Sequence, residues 1–312
     1  MKFLILISGL IGVLILIEIA LRLGFGFGNP PLYVADEQIG YLLAPSQKVT
    51  RFGNRIEINA YSMRAGAVEA QIEPGTFRLF LLGDSLANGG WWTDQKNILS
   101  LRIAHHLESY LPAPYKTIEA LNASANSWGP RNELAYLERY GSFNAAVLVL
   151  LLNTDDLFGT QPTALQVGRD RSYPDKKPLL AILEVLDRYL KRGQTISGLK
   201  EIQQEGGDRV GKNIAAIEGI YQKAVDDGAG FILVLSPLKR EILGSRDYEL
   251  TARQRLKDWA ATADVPYLDL LETYQKYPDP DALYRDHIHL SPQGNELVGE
   301  AIAQAIGNLP VN

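Results

Sequence analysis

The stretch Phe77-Arg78-Leu79-Phe80-Leu81-Leu82-Gly83-Asp84-Ser85 is an apolar run that stops at Gly-Asp-Ser. It reads as a strand buried on both faces that delivers a serine to the top of a sheet. Working outward, Ile118–Leu121, Ala145–Leu152 and Phe231–Leu235 are runs of the same kind, and Pro266–Leu270 is a weaker fifth. Helical periodicity fills the intervals, at about Gln95–Tyr110, Arg131–Tyr140, Ile214–Asp226, Thr251–Ala263 and Gln293–Ile306. Strand and helix alternation predicts a three-layer α/β domain around a parallel sheet. In such sheets ligands bind beyond the carboxyl ends of the strands. Four polar clusters fall there: Gly83–Ser85, Asn122–Gly129, Asn153–Asp156 and Ser236-Pro237.

Near the other end of the domain stands Asp286-His287-Ile288-His289-Leu290-Ser291-Pro292, just ahead of the last helix. A serine hydroxyl is a poor nucleophile at its free pKa. It needs a general base, and the base needs a group that orients it. Serine, carboxylate and histidine sit at the two ends of one domain, where a fold can bring them together. His287 and His289 with Asp286 also make a His-x-His metal pair conceivable. The other histidines, His105 and His106, fall on a predicted amphipathic helix, and there is no cysteine. A metal site is therefore not expected.

These residues carry a resemblance to the SGNH/GDSL hydrolase superfamily, over about Phe77 to Ile306. Gly83-Asp84-Ser85-Leu86 directly after a strand resembles the family's first block. Asp286-x-x-His289 before a helix resembles its last. The resemblance implies a flavodoxin-like αβα fold with Ser85 as nucleophile, His289 as base and Asp286 as its orienting carboxylate. The middle blocks depart from the family pattern. Where relatives carry a glycine whose N–H binds the oxyanion, the best alignment puts Ser127, and a shifted one puts Gly129. Where relatives read Gly-x-Asn-Asp, this chain reads Asn153-Thr154-Asp155-Asp156, with Asp155 in the place of the donating asparagine. An ionised carboxylate there repels a developing oxyanion, and one donor in such a hole is worth about 3 kcal/mol. Either Asp155 is kept protonated, or Asn153 supplies the donor, or catalysis is impaired.

The N-terminus speaks to location. Lys2 precedes Phe3–Ile17, an apolar run broken only by Ser8, Gly9 and Gly12, and Glu18 and Arg22 follow it. With Ile19–Phe27 it approaches the roughly 20 residues that span a bilayer. No small-x-small cleavage pattern follows, so residues 1–28 read as an uncleaved signal anchor. Positive charge before the span leaves the N-terminus in the cytoplasm and the body on the extracytoplasmic (periplasmic) side. Glu18 either pairs with Arg22 at i+4 or marks the end of the span. Residues 29–75 read as a small β-rich appendage, packed on the main domain or lifting it from the membrane. Within it Arg55–Ile58 alternates as a half-buried strand does, and Gly53-Asn54 reads as a turn. Residues 76–312 form the hydrolase-like domain. Its segment 157–210 exceeds the usual connection length, contains one helix at Leu179–Tyr189, and is a candidate lid or substrate-recognition insertion.

A formal charge of −5 leaves no basic footprint for nucleic acid. No cofactor motif is present. Trp91-Trp92, just after the candidate nucleophile, either stack on a sugar ring or anchor a loop, and Asn88 and Arg131 are candidates for the cleft lining. The resemblance, with membrane attachment, implies a serine esterase acting on acylated saccharides, above all acetyl groups of an envelope or exopolysaccharide. The alternatives are an O-acyltransferase on the same substrates, a catalytically impaired binding or assembly protein, and a lysophospholipase or thioesterase.

Overall fold

The computed structural model describes residues 2–69, 72–111, 114–191, 193 and 195–309; the α-amino group at Met1 and the last three residues of the chain lie outside them. The elements in order are α1 (Lys2–Phe25), β1 (Tyr33–Asp36), β2 (Gly40–Leu43), β3 (Gln47–Arg51), β4 (Asn54–Ile58), β5 (Thr76–Gly83), α2 (Ser85–Asn88), α3 (Leu99–Leu107), β6 (Thr117–Ser124) and α4 (Pro130–Tyr140). Then follow β7 (Val147–Asn153), α5 (Ala181–Tyr189), α6 (Leu199–Gln203), α7 (Arg209–Asp226), β8 (Gly230–Ser236), α8 (Asp247–Thr262), β9 (Tyr267–Asp269), α9 (Leu271–Gln275) and α10 (Pro292–Gly307).

The central sheet has five parallel strands in the order β6-β5-β7-β8-β9. Successive side chains on a strand point to opposite faces, so each apolar run feeds two cores. Phe80, Leu82, Leu148, Leu150, Leu233 and Leu235 face one layer, with Tyr136 and Leu137 of α4, Ile217 of α7 and Leu256 of α8. Leu79, Leu81, Val147, Val149, Ile232 and Val234 face the other, with Ile103 of α3 and Val298 and Ile302 of α10. This is the three-layer αβα arrangement. The order reverses at β5, whose neighbours are β6 on one side and β7 on the other. That is the point at which a doubly wound sheet opens a crevice. Gly83 ends β5 there, and a Cβ on it would stand 2.6 Å from the Leu151 carbonyl oxygen. Only glycine lets the strand stay this close to β7.

β1–β2 and β3–β4 are separate antiparallel hairpins. Tyr41, Leu42, Val49, Ile56 and Ile58 join the core on the α4 side of the sheet, so this segment is packed on the main body rather than held away from it. The turn predicted at Gly53-Asn54 is shifted by one residue. Phe52 and Gly53 both have positive φ, at 47° and 81°, and Asn54 already pairs with Arg51. Two left-handed central residues match the twist of a two-residue hairpin, which decides the register.

α1 is long and apolar enough to cross a membrane, and none of its residues is buried. Glu18 pairs with Arg22, Nε to Oε1 at 2.6 Å. Between β7 and α7 the chain leaves the sheet, as the long segment 157–210 required. It returns over the cleft, where Arg131 of α4 clamps it by donating to Glu205 (2.8 and 3.0 Å) and to the Gly159 carbonyl (2.8 Å). Arg131 is thus a strut of the insertion and not part of the cleft lining.

Candidate active site

Asp84 caps α2 by accepting the Leu86 N–H at 2.8 Å, which fixes Ser85 as the first residue of a short helix directly beyond β5. Arg64, wholly buried, donates to the carbonyls of Asn88, Gly90 and Thr93 and pins the loop that follows. Burial lowers its pKa to about 10, so it remains charged at neutral pH.

The second half of the site is a turn before α10. Asp286 Oδ1 accepts the N–H groups of Ile288 (3.0 Å) and His289 (2.9 Å), and this closes the three-residue step. Oδ2 is then left facing His289 Nδ1 at 2.8 Å. The other imidazole nitrogen, Nε2, stands 2.9 Å from Ser85 Oγ. Desolvation pushes the Asp286 carboxyl up, but the two N–H groups and the His289 ring outweigh it and hold it below its ordinary value. His287 is exposed, its Nδ1 3.9 Å from Asp286 Oδ1, and it lies on the solvent side of this chain of contacts. Trp92 stacks edge-on against the His289 ring, with centroids 4.6 Å apart, and Arg285 lies 4.8 Å over the Trp92 ring. The tryptophan pair packs against the His289 turn and also lines the cleft. Gly90, at φ 56°, lets the Trp92 ring lie within 2.5 Å of where a Cβ would be.

The residues weighed for an oxyanion site separate sharply. Ser127 has φ 57°, the left-handed backbone that a glycine adopts most readily, at the position where the resemblance implied a glycine. Its side chain accepts a bond from the Tyr173 hydroxyl at 3.0 Å, and the neighbouring Asn126 carbonyl takes the Tyr41 hydroxyl. The N–H of Gly129 is occupied by Asn132 Oδ1 at 3.1 Å. Asn153 is buried and both of its amide hydrogens are spent, on Asp84 Oδ2 (3.0 Å) and Asp156 Oδ2 (2.8 Å). An amide has two N–H bonds, so none remains for an oxyanion. The N–H groups of Asn153 and Gly129 thus both have partners within the protein. Asp155 lines the cleft. Partial desolvation raises its carboxyl above the ordinary value, Arg240 pulls it back, and Glu249 and Glu241 add to the rise.

Asp156 and Glu133 were not singled out in the sequence. Burial and the neighbouring Asp84 and Glu133 push Asp156 well above its ordinary range; burial, then Asp84, does the same to Glu133, whose carboxyl oxygens find no partner among the described residues. Asp84 is raised too, by burial. Asp84 and Asp156 share the Asn153 amide and Glu133 lies buried near enough to act on both, and three neighbouring buried acids cannot all ionise. The sign for Glu133 is clear: a raised carboxyl costs nothing below its unfolded pKa near 4.3 and lowers stability as pH rises above it, by about 1.4 kcal/mol per unit until the folded pKa is reached. Glu133→Gln should therefore melt progressively higher than wild type between pH 5 and 8, with the gap closing near pH 4. A gap independent of pH would mean that Glu133 is not held protonated.

The cleft above Ser85 has a volume of about 750 Å³. Its wall joins Tyr41 of β2, Trp91 and Trp92, Ser127, and Gln166 and Tyr173 of the insertion. Asn88 borders it, but its amide is tied to Ser124.

A parallel sheet with a Ser–His–Asp chain at its carboxyl edge defines a hydrolase of the SGNH type. Residues 81–297 match the model of the GDSL-like lipase/acylhydrolase family, and the chain belongs to that family, whose members hydrolyse ester bonds. No curated protein matches the sequence. Among solved structures it is similar to a lipase/acylhydrolase from Enterococcus faecalis, with 15% identity over 76% of this chain and 98% of that one and a TM-score of 0.46. It is also similar to a catalytic mutant of an acetylxylan esterase from Geobacillus stearothermophilus, with 15% identity over 77% and 99% and a TM-score of 0.49. At these values the family match carries the assignment.

Proposed function

We propose that the protein is a serine esterase that removes O-acyl groups, above all acetyl, from envelope or exopolysaccharide sugars. It would be held by α1 in the cytoplasmic membrane with its cleft on the extracytoplasmic side. The observation that carries the chemistry is the unbroken contact chain Ser85 Oγ–His289 Nε2 (2.9 Å) and His289 Nδ1–Asp286 Oδ2 (2.8 Å) at the base of the cleft. Ser85 Oγ attacks the acyl carbonyl and His289 takes its proton, while Asp286 holds the ring through Nδ1. The oxyanion is received by the N–H groups of Ser85 and Ser127. His289 returns the proton to the departing sugar hydroxyl, and water resolves the acyl-enzyme by the same route. A saccharide is favoured by a wall that pairs aromatic rings with amide and hydroxyl side chains, among them Gln161, Gln166 and Tyr173. Incubation with a fluorophosphonate should label Ser85 alone, and acetylated oligosaccharides should release acetate faster than long-chain esters are cleaved. Labelling elsewhere, or a preference for long acyl chains, would overturn the respective half of the proposal.

Asp155 favours a second reading of the oxyanion site, in which its carboxyl joins the two N–H groups as a donor. Partial desolvation raises that carboxyl, the direction a donating group requires. On that basis Asp155→Asn should keep or raise kcat near neutral pH, because the amide donates without needing a proton. The wild-type rate should fall as pH rises through the raised pKa, and the variant should lack that alkaline limb. A variant at least about tenfold slower with an unchanged profile would remove Asp155 from the oxyanion site, a loss of the size expected for other contacts.

A further inference from the structure

Outside the cleft, the least explained surface is one face of α5. Leu179, Leu183, Leu186 and Leu190 are 88%, 47%, 41% and 74% exposed. Leu183, Leu186 and Leu190 follow one another by three and four residues and so share a single stripe, with Leu179 two residues ahead of the helix. The opposite face is docked: Ala181 is buried, and buried Glu184 accepts from Arg51 (2.8 Å), Arg188 (2.9 Å) and the Gly28 N–H (2.6 Å). A stripe of three exposed leucines, with a fourth just ahead of the helix, beside a rigidly held face is not ordinary surface.

Its place along α1 identifies what covers it. Glu18 accepts the N–H groups of Ala181 (2.7 Å) and Ile182 (3.1 Å), two of the donors that open α5, and Arg22 Nη2 donates to the Leu179 carbonyl (2.8 Å). From Lys2 to Glu18 the helix rises only about 24 Å, at 1.5 Å per residue. A hydrocarbon core of about 30 Å therefore extends past Glu18 to about Leu21 and Arg22. The start of α5, fixed to Glu18, lies at the boundary of that core. The adjoining groove, of about 850 Å³, is lined by cations that include Arg169, Arg171, Lys176, Lys177 and Lys191. The same groove holds Asp170, Asp175, Glu184 and Asp187, and Lys191 pairs with Asp187 at 2.8 Å, so its excess of cations is small.

We propose that α5 is an interfacial helix: its leucine stripe seats in the boundary of the membrane that α1 crosses, and Lys176 and Lys177 at the groove beside it meet anionic headgroups. The proposal rests on the reading of α1 as a retained anchor. The groove and the cleft share Ser172, Pro174 and Arg188, so seating α5 also holds the cleft mouth near the bilayer surface.

The chain has no cysteine, so a single nitroxide can be attached to the full-length protein at Leu10→Cys, Leu183→Cys, Leu190→Cys or Leu243→Cys. Each is reconstituted at one chain per nanodisc of 3:1 phosphatidylcholine and phosphatidylglycerol. The labels at 10, 183 and 190 should lose collisions with a water-soluble nickel chelate and keep those with oxygen, while the label at exposed Leu243 stays open to nickel. Shielding at 10 with open labels at 183 and 190 would overturn the interfacial helix and leave the anchor standing. An open label at 10 would overturn the anchor, and this proposal with it. Shielding at 183 and 190 that appears only in vesicles crowded with protein would assign the stripe to a second copy and overturn the proposal.

Discussion

Ser85→Ala is expected to lower kcat for a short acyl ester such as p-nitrophenyl acetate by about 10⁴-fold or more, the scale of losing the nucleophile of an interdependent triad. The fold should be untouched. Ser85 is buried, its hydroxyl hydrogen-bonds His289 and Asp84, and the cap that holds the turn is made by Asp84 to the Leu86 N–H, which alanine leaves in place. Fluorophosphonate labelling should vanish together with turnover, while the melting temperature stays within a few degrees of wild type. Retention of most of the activity would remove Ser85 from the mechanism. Loss of activity with a collapsed melting transition would be uninformative for this residue alone, and Ser85→Cys then gives the second reading, since a thiol of similar volume preserves both the packing and a nucleophile that alkylating reagents trap.

The sheet and its helices were legible because β5, β7 and β8 are apolar on both faces. Leu79–Leu82, Val147–Leu152 and Phe231–Leu235 have no other stable placement than between two layers. The triad was legible for a different reason. Asp286 makes its three-residue step through local backbone bonds, which a sequence spacing can express, and Ser85 follows directly on a recognisable strand.

What stayed hidden depends on contacts distant in the chain. That Asp84, 69 residues away, takes one of the hydrogens of the Asn153 amide has no sign in the sequence. The strain at Ser127 is carried by Tyr41 and Tyr173, from β2 and the insertion, neither of which has a local signature of that task. Glu133 sits in an ordinary amphipathic pattern on α4, and only its complete burial beside Asp84 reveals its charge problem. The pairing of Glu18 with Arg22 was open to a sequence reading at i+4, but the use of Glu18 to cap α5 was not.

The other large effect is expected from Asp286→Asn, about 10⁴-fold in kcat, and the local geometry forces its direction. Oδ1 of residue 286 is bound by two backbone N–H groups, from Ile288 and His289. An asparagine must keep its oxygen on that side, because turning the amide over would set N–H against N–H. Its NH₂ group then points at His289 Nδ1, where the carboxylate stands now at 2.8 Å. The ring can only accept there, so its proton moves to Nε2, the atom that faces Ser85 Oγ at 2.9 Å. A protonated Nε2 cannot take the serine proton, and the base is lost although every heavy atom remains in place; a fixed wrong tautomer of this kind costs about 10⁴-fold in serine proteases. In the wild type the carboxyl is held below its ordinary value, so its hold on His289 is complete above the usual aspartate pKa and fails only as pH drops through the lowered one. The measurement is kcat/KM for Asp286→Asn beside Asp286→Ala. Alanine frees the ring to adopt either tautomer, so it should retain more activity than asparagine. If asparagine equals wild type within tenfold, or exceeds alanine, Asp286 does not set the tautomer of His289.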